Sequence, residues 1–415
     1  MKTSDLKRFA FGVCVVAALA ACGGGSILRP GPDGISAVRV PPTEQRRVRP
    51  AYGVIYSFHG PRSDGETPYS SLAVVNGLLY GTTEVGGKKN TGTTFAISPG
   101  STKESHLYSF GGASSDGAYP KAGVSYVSGM LYGTTTEGGT SSYGTVFAIM
   151  SNQPKTLHSF EGKSSGDGAN PAADLSYVKS NDTFYGTTQT GGKHGLGAVF
   201  EITSSGVEKV IYSFKGKPDG YTPISGLFNS GGTLYGTTEL GGKHNEGTVY
   251  AISLSGQESV IYSFGEFKGD GEYPRAGVRT PPGKVALYGT TYNGGTSGKG
   301  TVFEISTNGT GYQVLYNFGL YPDAENPLGE ITAINGTLYG TTAHGGMHRK
   351  GSVFKLTSSN VETRLHDFPS DPGDGTGPAR RLTVLNGMLY GTTRYGGKGK
   401  CPGYGGCGTI FWVAP

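Results

Sequence analysis

Apolar residues fall in short runs of four to six along most of this 415-residue chain, separated by clusters rich in Gly, Ser and Asn. One stretch reads AGVSYV, MLYGTT, TVFAI and TLHSF over residues 122–127, 130–135, 145–149 and 156–160. Short runs of β-branched and aromatic residues bounded by turn formers predict strands. Beyond the first 22 residues no stretch sustains a helical period of 3.6, so helices are expected to be nearly absent.

The four-strand pattern recurs. LYGTT and close variants place tyrosines at Tyr80, Tyr132, Tyr185, Tyr235, Tyr288, Tyr339 and Tyr390, 50 to 53 residues apart. A period of that size marks stacked supersecondary units. Four antiparallel strands in about fifty residues match a propeller blade, and seven copies predict an all-β, seven-bladed β-propeller over residues 52–415. One blade cannot cover both its faces, whereas radial packing against its neighbours does so. Two aromatic sets recur in phase and are expected in the core. The third strands carry Phe95, Phe147, Phe200, Tyr250, Phe303, Phe354 and Phe411, and the fourth strands end at Phe58, Phe110, Phe160, Phe214, Phe264, Phe318 and Phe368. The repeat region opens on a fourth strand (VIYSF) and closes on a third (TIFWV). The first strand is therefore expected to complete the last blade, which removes the open edges.

Between one blade and the next, an Asp precedes a Pro by four residues in every copy: Asp64, Asp116, Asp167, Asp219, Asp270, Asp323 and Asp374. Gly follows six of them and Ala324 the other, which reads as a turn whose carboxylate binds backbone N–H groups. Calcium coordination is the alternative for such a rim of carboxylates. After LYGTT every copy carries a Gly-Gly pair, as at Gly86-Gly87, and variable basic tips beside it. These tips supply the candidate ligand face: Lys88, Lys193, His194, Lys243, His244, His348, Arg349 and Lys398.

No zinc spacing, nucleophile elbow or phosphate loop occurs, so no catalytic, metal-binding or cofactor-binding set is nominated. Glu84, Glu137, Asp174, Glu239 and Glu330 are the carboxylates available for glycoside chemistry near a channel. The formal charge of +5 is too mild to point to nucleic acid, and a monomer is expected.

Residues 1–22 have a basic opening and an apolar run over 9–21, the form of a secretory leader. Leu19-Ala20-Ala21-Cys22 has the form of a lipobox, with Cys22 as the lipidated residue and the membrane as a partner. Residues 23–51, rich in Pro, Gly and Arg, read as a tether. Export makes a disulfide between Cys401 and Cys407 the natural reading of those two cysteines.

The unit YSF…DG..P…G.LYGTT..GG….GTVF.I, covering residues 52–413, resembles the choice-of-anchor GloVer (Gloeo_Verruco) tandem repeat. Departures are Ala198 for a Thr, Ala324 in the sixth turn, and an insertion at 281–285. The resemblance implies an exported bacterial lipoprotein of the envelope, in the outer membrane or at the cell surface, and transfers no catalytic residue. Two functional expectations follow: a binding or scaffold module for a glycan, peptide or envelope protein, and a carbohydrate hydrolase or lyase.

Overall fold

The computed structural model describes residues 51–415 apart from 63, 379 and 402–404. The leader, Cys22 and the tether up to residue 50 lie outside the described residues. Seven antiparallel blades form the expected all-β propeller. Blade 1 runs Ala73–Val75, Leu78–Thr83, Thr93–Ile97 and Ser105–Ser109, from the axis outwards. Blade 7 combines Thr383–Leu385, Met388–Gly396 and Thr409–Val413 with Tyr52–Ser57 as its outer strand. The closing ladder pairs Val54 with Phe411 and Tyr56 with Ile410. Among the described residues one 3-10 turn, Lys163–Ser165, is the sole helical element.

Inner strands are shorter than the sequence pattern predicts, three residues in place of six, as at Ser125–Val127. In blade 5 the inner strand shrinks to a single bridge, Arg279 to Tyr288, because Pro281 and Pro282 follow and offer no N–H. The residues just before each inner strand lie nearest the axis, where a hydroxyl repeated in every preceding blade takes over from the ladder.

That hydroxyl explains the repeat motif. The first Thr of each LYGTT donates to a carbonyl of the next blade: Thr82 to Ala122, Thr134 to Ala173, Thr187 to Ser225 and Thr237 to Ala276. Thr290 to Gly329, Thr341 to Arg380 and Thr392 to Ser70 complete a closed belt, at 2.7–3.4 Å. The second Thr stitches its own blade, donating to the carbonyl two residues on and meeting a third-strand Thr in five blades at 2.7–2.8 Å. The motif Leu is buried in core and the Gly lies under the third-strand ring. A Cβ on Gly289 would stand 2.5 Å from Phe303.

Aromatic rings bind the same interfaces further out. Each fourth-strand Phe meets the third-strand ring of the next blade edge-on, from Phe110–Phe147 at 5.0 Å to Phe264–Phe303 at 5.3 Å. Phe58–Phe95 and Phe368–Phe411, at 5.2 Å, carry this pairing through both joints of the closing blade. Such pairs add about 0.5–1.5 kcal/mol each beyond area burial. The Cys401–Cys407 disulfide is buried at the joint of blades 7 and 1, against Phe58 and Phe95.

Replacing Thr187 by the isosteric Val strands the buried Ser225 carbonyl and is expected to cost about 1–3 kcal/mol of unfolding free energy. Chemical denaturation of Thr187→Val against wild type measures it, and an unchanged midpoint contradicts the belt's role.

Candidate functional site

Each inter-blade Asp is a latch. One carboxylate oxygen accepts the N–H of the following residue, at 2.6–2.8 Å. The other accepts from a fourth-strand side chain: Tyr56, Tyr108, His158, Tyr212, Tyr262, Tyr316 or His366. The Asp carbonyl receives the second glycine of the Gly-Gly pair, as in Gly192 to Asp167 at 2.6 Å. Turn and tip therefore share one face of the ring, as their two-residue ladders also show. With both oxygens engaged, the Asp turns are organised as backbone anchors.

On that face a cavity of about 760 Å³ takes lining residues from all seven blades, which places it on the axis. Two positions per blade build it. The residue after the turn Pro contributes Tyr69, Lys121, Ala172, Ile224, Arg275 and Leu328, and the residue after LYGTT contributes Gln189, Glu239, Tyr292, Ala343 and Arg394. Both follow invariant residues, yet no two blades carry the same pair of residues at them, so the frame fixes their backbone while their chemistry varies.

Cations dominate the cup. Arg275 pairs with Glu239 at 2.7 Å and lies over the Tyr292 ring at 4.1 Å. Glu84 bridges Lys121 at 3.3 Å and Arg394 at 3.2 Å. Tyr69 has Arg380 and Arg394 over its ring at 4.5 and 4.8 Å. Arg394 Nε is buried without a hydrogen-bond partner. Arg349 and Lys350 complete the cup's cationic lining on the blade 6 side, beside His344. Burial lowers the His344 pKa below its ordinary value.

Arg380 closes the bottom. From blade 7 it reaches across the axis to donate to the carbonyls of Tyr69, Lys121 and Ala172, in three other blades, at 3.1–3.2 Å. Beneath it lies a second ionic group. Asp174 accepts from the Gly123 N–H at 2.6 Å and from the Ser71 hydroxyl. Glu330 pairs with Arg279 at 2.7 Å and with Arg381 at 3.8 Å. Burial opposes the Arg279 charge, but Glu330 outweighs it and raises that pKa, whereas burial and the neighbouring Arg279 lower that of Arg381.

Of the eight nominated tip residues, Arg349 alone lines the cup. Lys243 and His244 pair with Glu266 at the rim, at 2.6 and 3.6 Å. The backbone N–H groups of Lys88 and Lys193 bind Ser109 and Ser213. Lys193, His194 and His348 are exposed, and Lys398 folds over Gly373. Sequence reading missed Tyr69, Lys121, Arg275, Arg380 and Arg394, although variation directly after two invariant positions marks four of them. Of the available carboxylates, Glu84 and Glu239 reach the cup, Asp174 and Glu330 lie below it, and Glu137 is exposed beside its ladder with Ala118.

A family model described as the Gloeobacter/Verrucomicrobia repeat matches residues 45–250 and again 209–411. Among solved structures, a virginiamycin B lyase from Staphylococcus aureus is similar at TM-score 0.57 and 13% identity, covering 88% of this chain and 99% of its own. An oligogalacturonate lyase from Vibrio parahaemolyticus is similar at TM-score 0.54 and 8% identity, covering 88% and 93%. At these identities the likeness shows the fold alone. No curated protein matches the sequence significantly.

Three of the latches closed by a tyrosine carry a titratable consequence. Glu104, Glu258 and Glu362, at the head of the next blade's outer strand, face Asp64, Asp219 and Asp323, and each has a buried oxygen without a hydrogen-bond partner. Burial, then the Asp charge, raises Glu104 to about 8 and Glu258 and Glu362 to about 7. A carboxyl raised on folding stabilises when protonated, an effect complete below its unfolded pKa and lost as pH climbs through 7 to 8. The thermal midpoint is therefore expected to fall between pH 5.5 and 8.5, and a Glu104→Gln/Glu258→Gln/Glu362→Gln variant to flatten that slope. Scanning calorimetry across this range checks it.

Proposed function

The chain belongs to the Gloeobacter/Verrucomicrobia repeat family, and we propose that it is a binding module whose axial cup takes an acidic oligosaccharide. The observation that carries this reading is the charge of the cup: Lys121, Arg275, Arg349, Lys350, Arg380 and Arg394 stand against Glu84 and Glu239. Guanidinium groups pair with carboxylates in two-pronged fashion, and the Tyr69 and Tyr292 rings stack on three of these guanidinium groups and hold them in place. The volume lies within the range of about 300–1,000 Å³ found for ligand sites. Glu84, Glu239, Asp174 and Glu330 are all tied to cations or N–H groups, which supports recognition over proton transfer.

Titration calorimetry with uronate oligosaccharides, and with neutral ones of equal length, tests the reading. Binding of the acidic set alone is expected, falling as salt rises, with Arg275→Ala and Arg394→Ala each weakening it about tenfold or more. Lys193→Ala, on the rim, is expected to leave it unchanged. Equal binding of neutral sugars, or none of either, overturns the proposal.

Delivery to the envelope through a lipid on Cys22 belongs to the same reading, supported by the leader and the lipobox form of residues 19–22. Cells fed labelled palmitate are expected to mark wild type and not Cys22→Ser, which should leave the membrane fraction. Retention of Cys22→Ser in that fraction contradicts the anchor.

A further inference from the structure

We propose that His158, Asp167 and Glu208 form a divalent transition-metal site that ties blade 2 to blade 3. His158 is the last residue but one of the outer strand of blade 2, Asp167 is the latch after it, and Glu208 opens the outer strand of blade 3. His158 Nε2 lies 3.0 Å from Asp167 Oδ2 and 3.8 Å from Glu208 Oε2, and the three ligand atoms fall within 4.8 Å of one another. Ligand atoms sharing one tetrahedral zinc, with bonds of about 2.0–2.2 Å, stand about 3.4 Å apart, so small side-chain shifts close the set.

The Glu208 side chain is only 9% exposed, and its Oε1 has no hydrogen-bond partner. A buried carboxylate oxygen left bare is costly unless a cation or proton meets it; the same bare oxygen recurs at Glu104, Glu258 and Glu362, so it is the His158 imidazole beside Glu208 that sets this junction apart. Neutral imidazole with two carboxylates carries a charge of −2, which suits a dication, and the nitrogen and oxygen donors favour zinc, manganese or iron over calcium. His158 remains 22% exposed, which leaves an approach for the ion and room for water as further ligands.

The other junctions act as internal controls. Five place Tyr where His158 stands, each phenol donating to its Asp. The remaining His, His366 on Asp374, has Tyr52 in the position of Glu208, stacked on its ring at 3.4 Å and donating to the same Asp. Among the described residues, only the blade 2–3 junction brings an imidazole nitrogen and two carboxylate oxygens within 4.8 Å of one another.

These neighbours also supply substitutions the fold already accommodates. His158→Tyr copies the Tyr212–Asp219–Glu258 junction, and Glu208→Tyr copies His366–Asp374–Tyr52. Untagged full-length protein, stripped with chelator, is titrated with zinc chloride by calorimetry, and with cobalt chloride by visible absorption. One zinc per chain and a cobalt band are expected. Loss of an outer-shell partner alone costs tenfold to a hundredfold in affinity, so either variant is expected to lose at least about tenfold. His366→Tyr should bind as wild type does. Failure of wild type to bind either ion, or binding that His158→Tyr and Glu208→Tyr leave intact, overturns the site, and circular dichroism verifies that both variants fold.

Discussion

A propeller must satisfy backbone groups where its blades converge and run out of strand partners, and here one threonine hydroxyl per blade does so. The belt from Thr82–Ala122 round to Thr392–Ser70 is the constraint on which the rest depends. It fixes the distance between neighbours at the axis, and so fixes where the following residues point. Buried carbonyls without partners are disfavoured by 1–3 kcal/mol or so each, and a ring multiplies that cost around its circumference. Hence the near-invariance of the pentapeptide across copies that otherwise diverge.

Placed against that belt, the remaining repeat residues divide into frame and cargo. The Gly before each third strand belongs to the frame: at Gly247 φ is +97°, and a Cβ would lie 2.5 Å from Pro274 of the next connection. The Asp latch, the Gly-Gly pair and the Phe pairs do the same work further out. Cargo positions begin one residue beyond the frame, after the Pro and after the second Thr, and eleven of them line the axial cup. The result is a cup whose walls differ in every blade while its outline does not. Arg380 gives the cup a floor that no symmetric repeat could supply, because one side chain from one blade serves three others.

Much of the fold was legible in the chain. Blade count, strand order, both aromatic rings and the closing strand follow from a period of about fifty residues and its phase at the two ends. The short inner strands were not legible, since convergence at the axis is a property of the assembled ring. The cup was hidden for the same reason: Tyr69 and Arg394 lie 325 positions apart and meet only once the circle closes. The basic tips drew attention by composition, but a tip beside the Gly-Gly pair projects to the rim, so Lys243 finds Glu266 there while Arg349 alone turns inward. The latch partners Tyr212 and His158 escaped notice because the turn Asp lies seven or nine residues further along the chain.

Tyr52–Ser57 is at once the first described strand and the outer edge of the last blade. Any pull transmitted through the preceding chain therefore reaches the five residue pairs from Tyr52–Val413 to Ser57–Thr409 before it reaches another blade. Antiparallel pairs loaded from one end yield by peeling, one rung after the next, so this ladder is the mechanical fuse of the ring. Two reinforcements stand close to it. Tyr52 is clamped against His366 and Asp374 at the first rung, and the buried Cys401–Cys407 bridge sits beside Phe58 at the last. Under tension the molecule would open at a seam that is fastened at both ends.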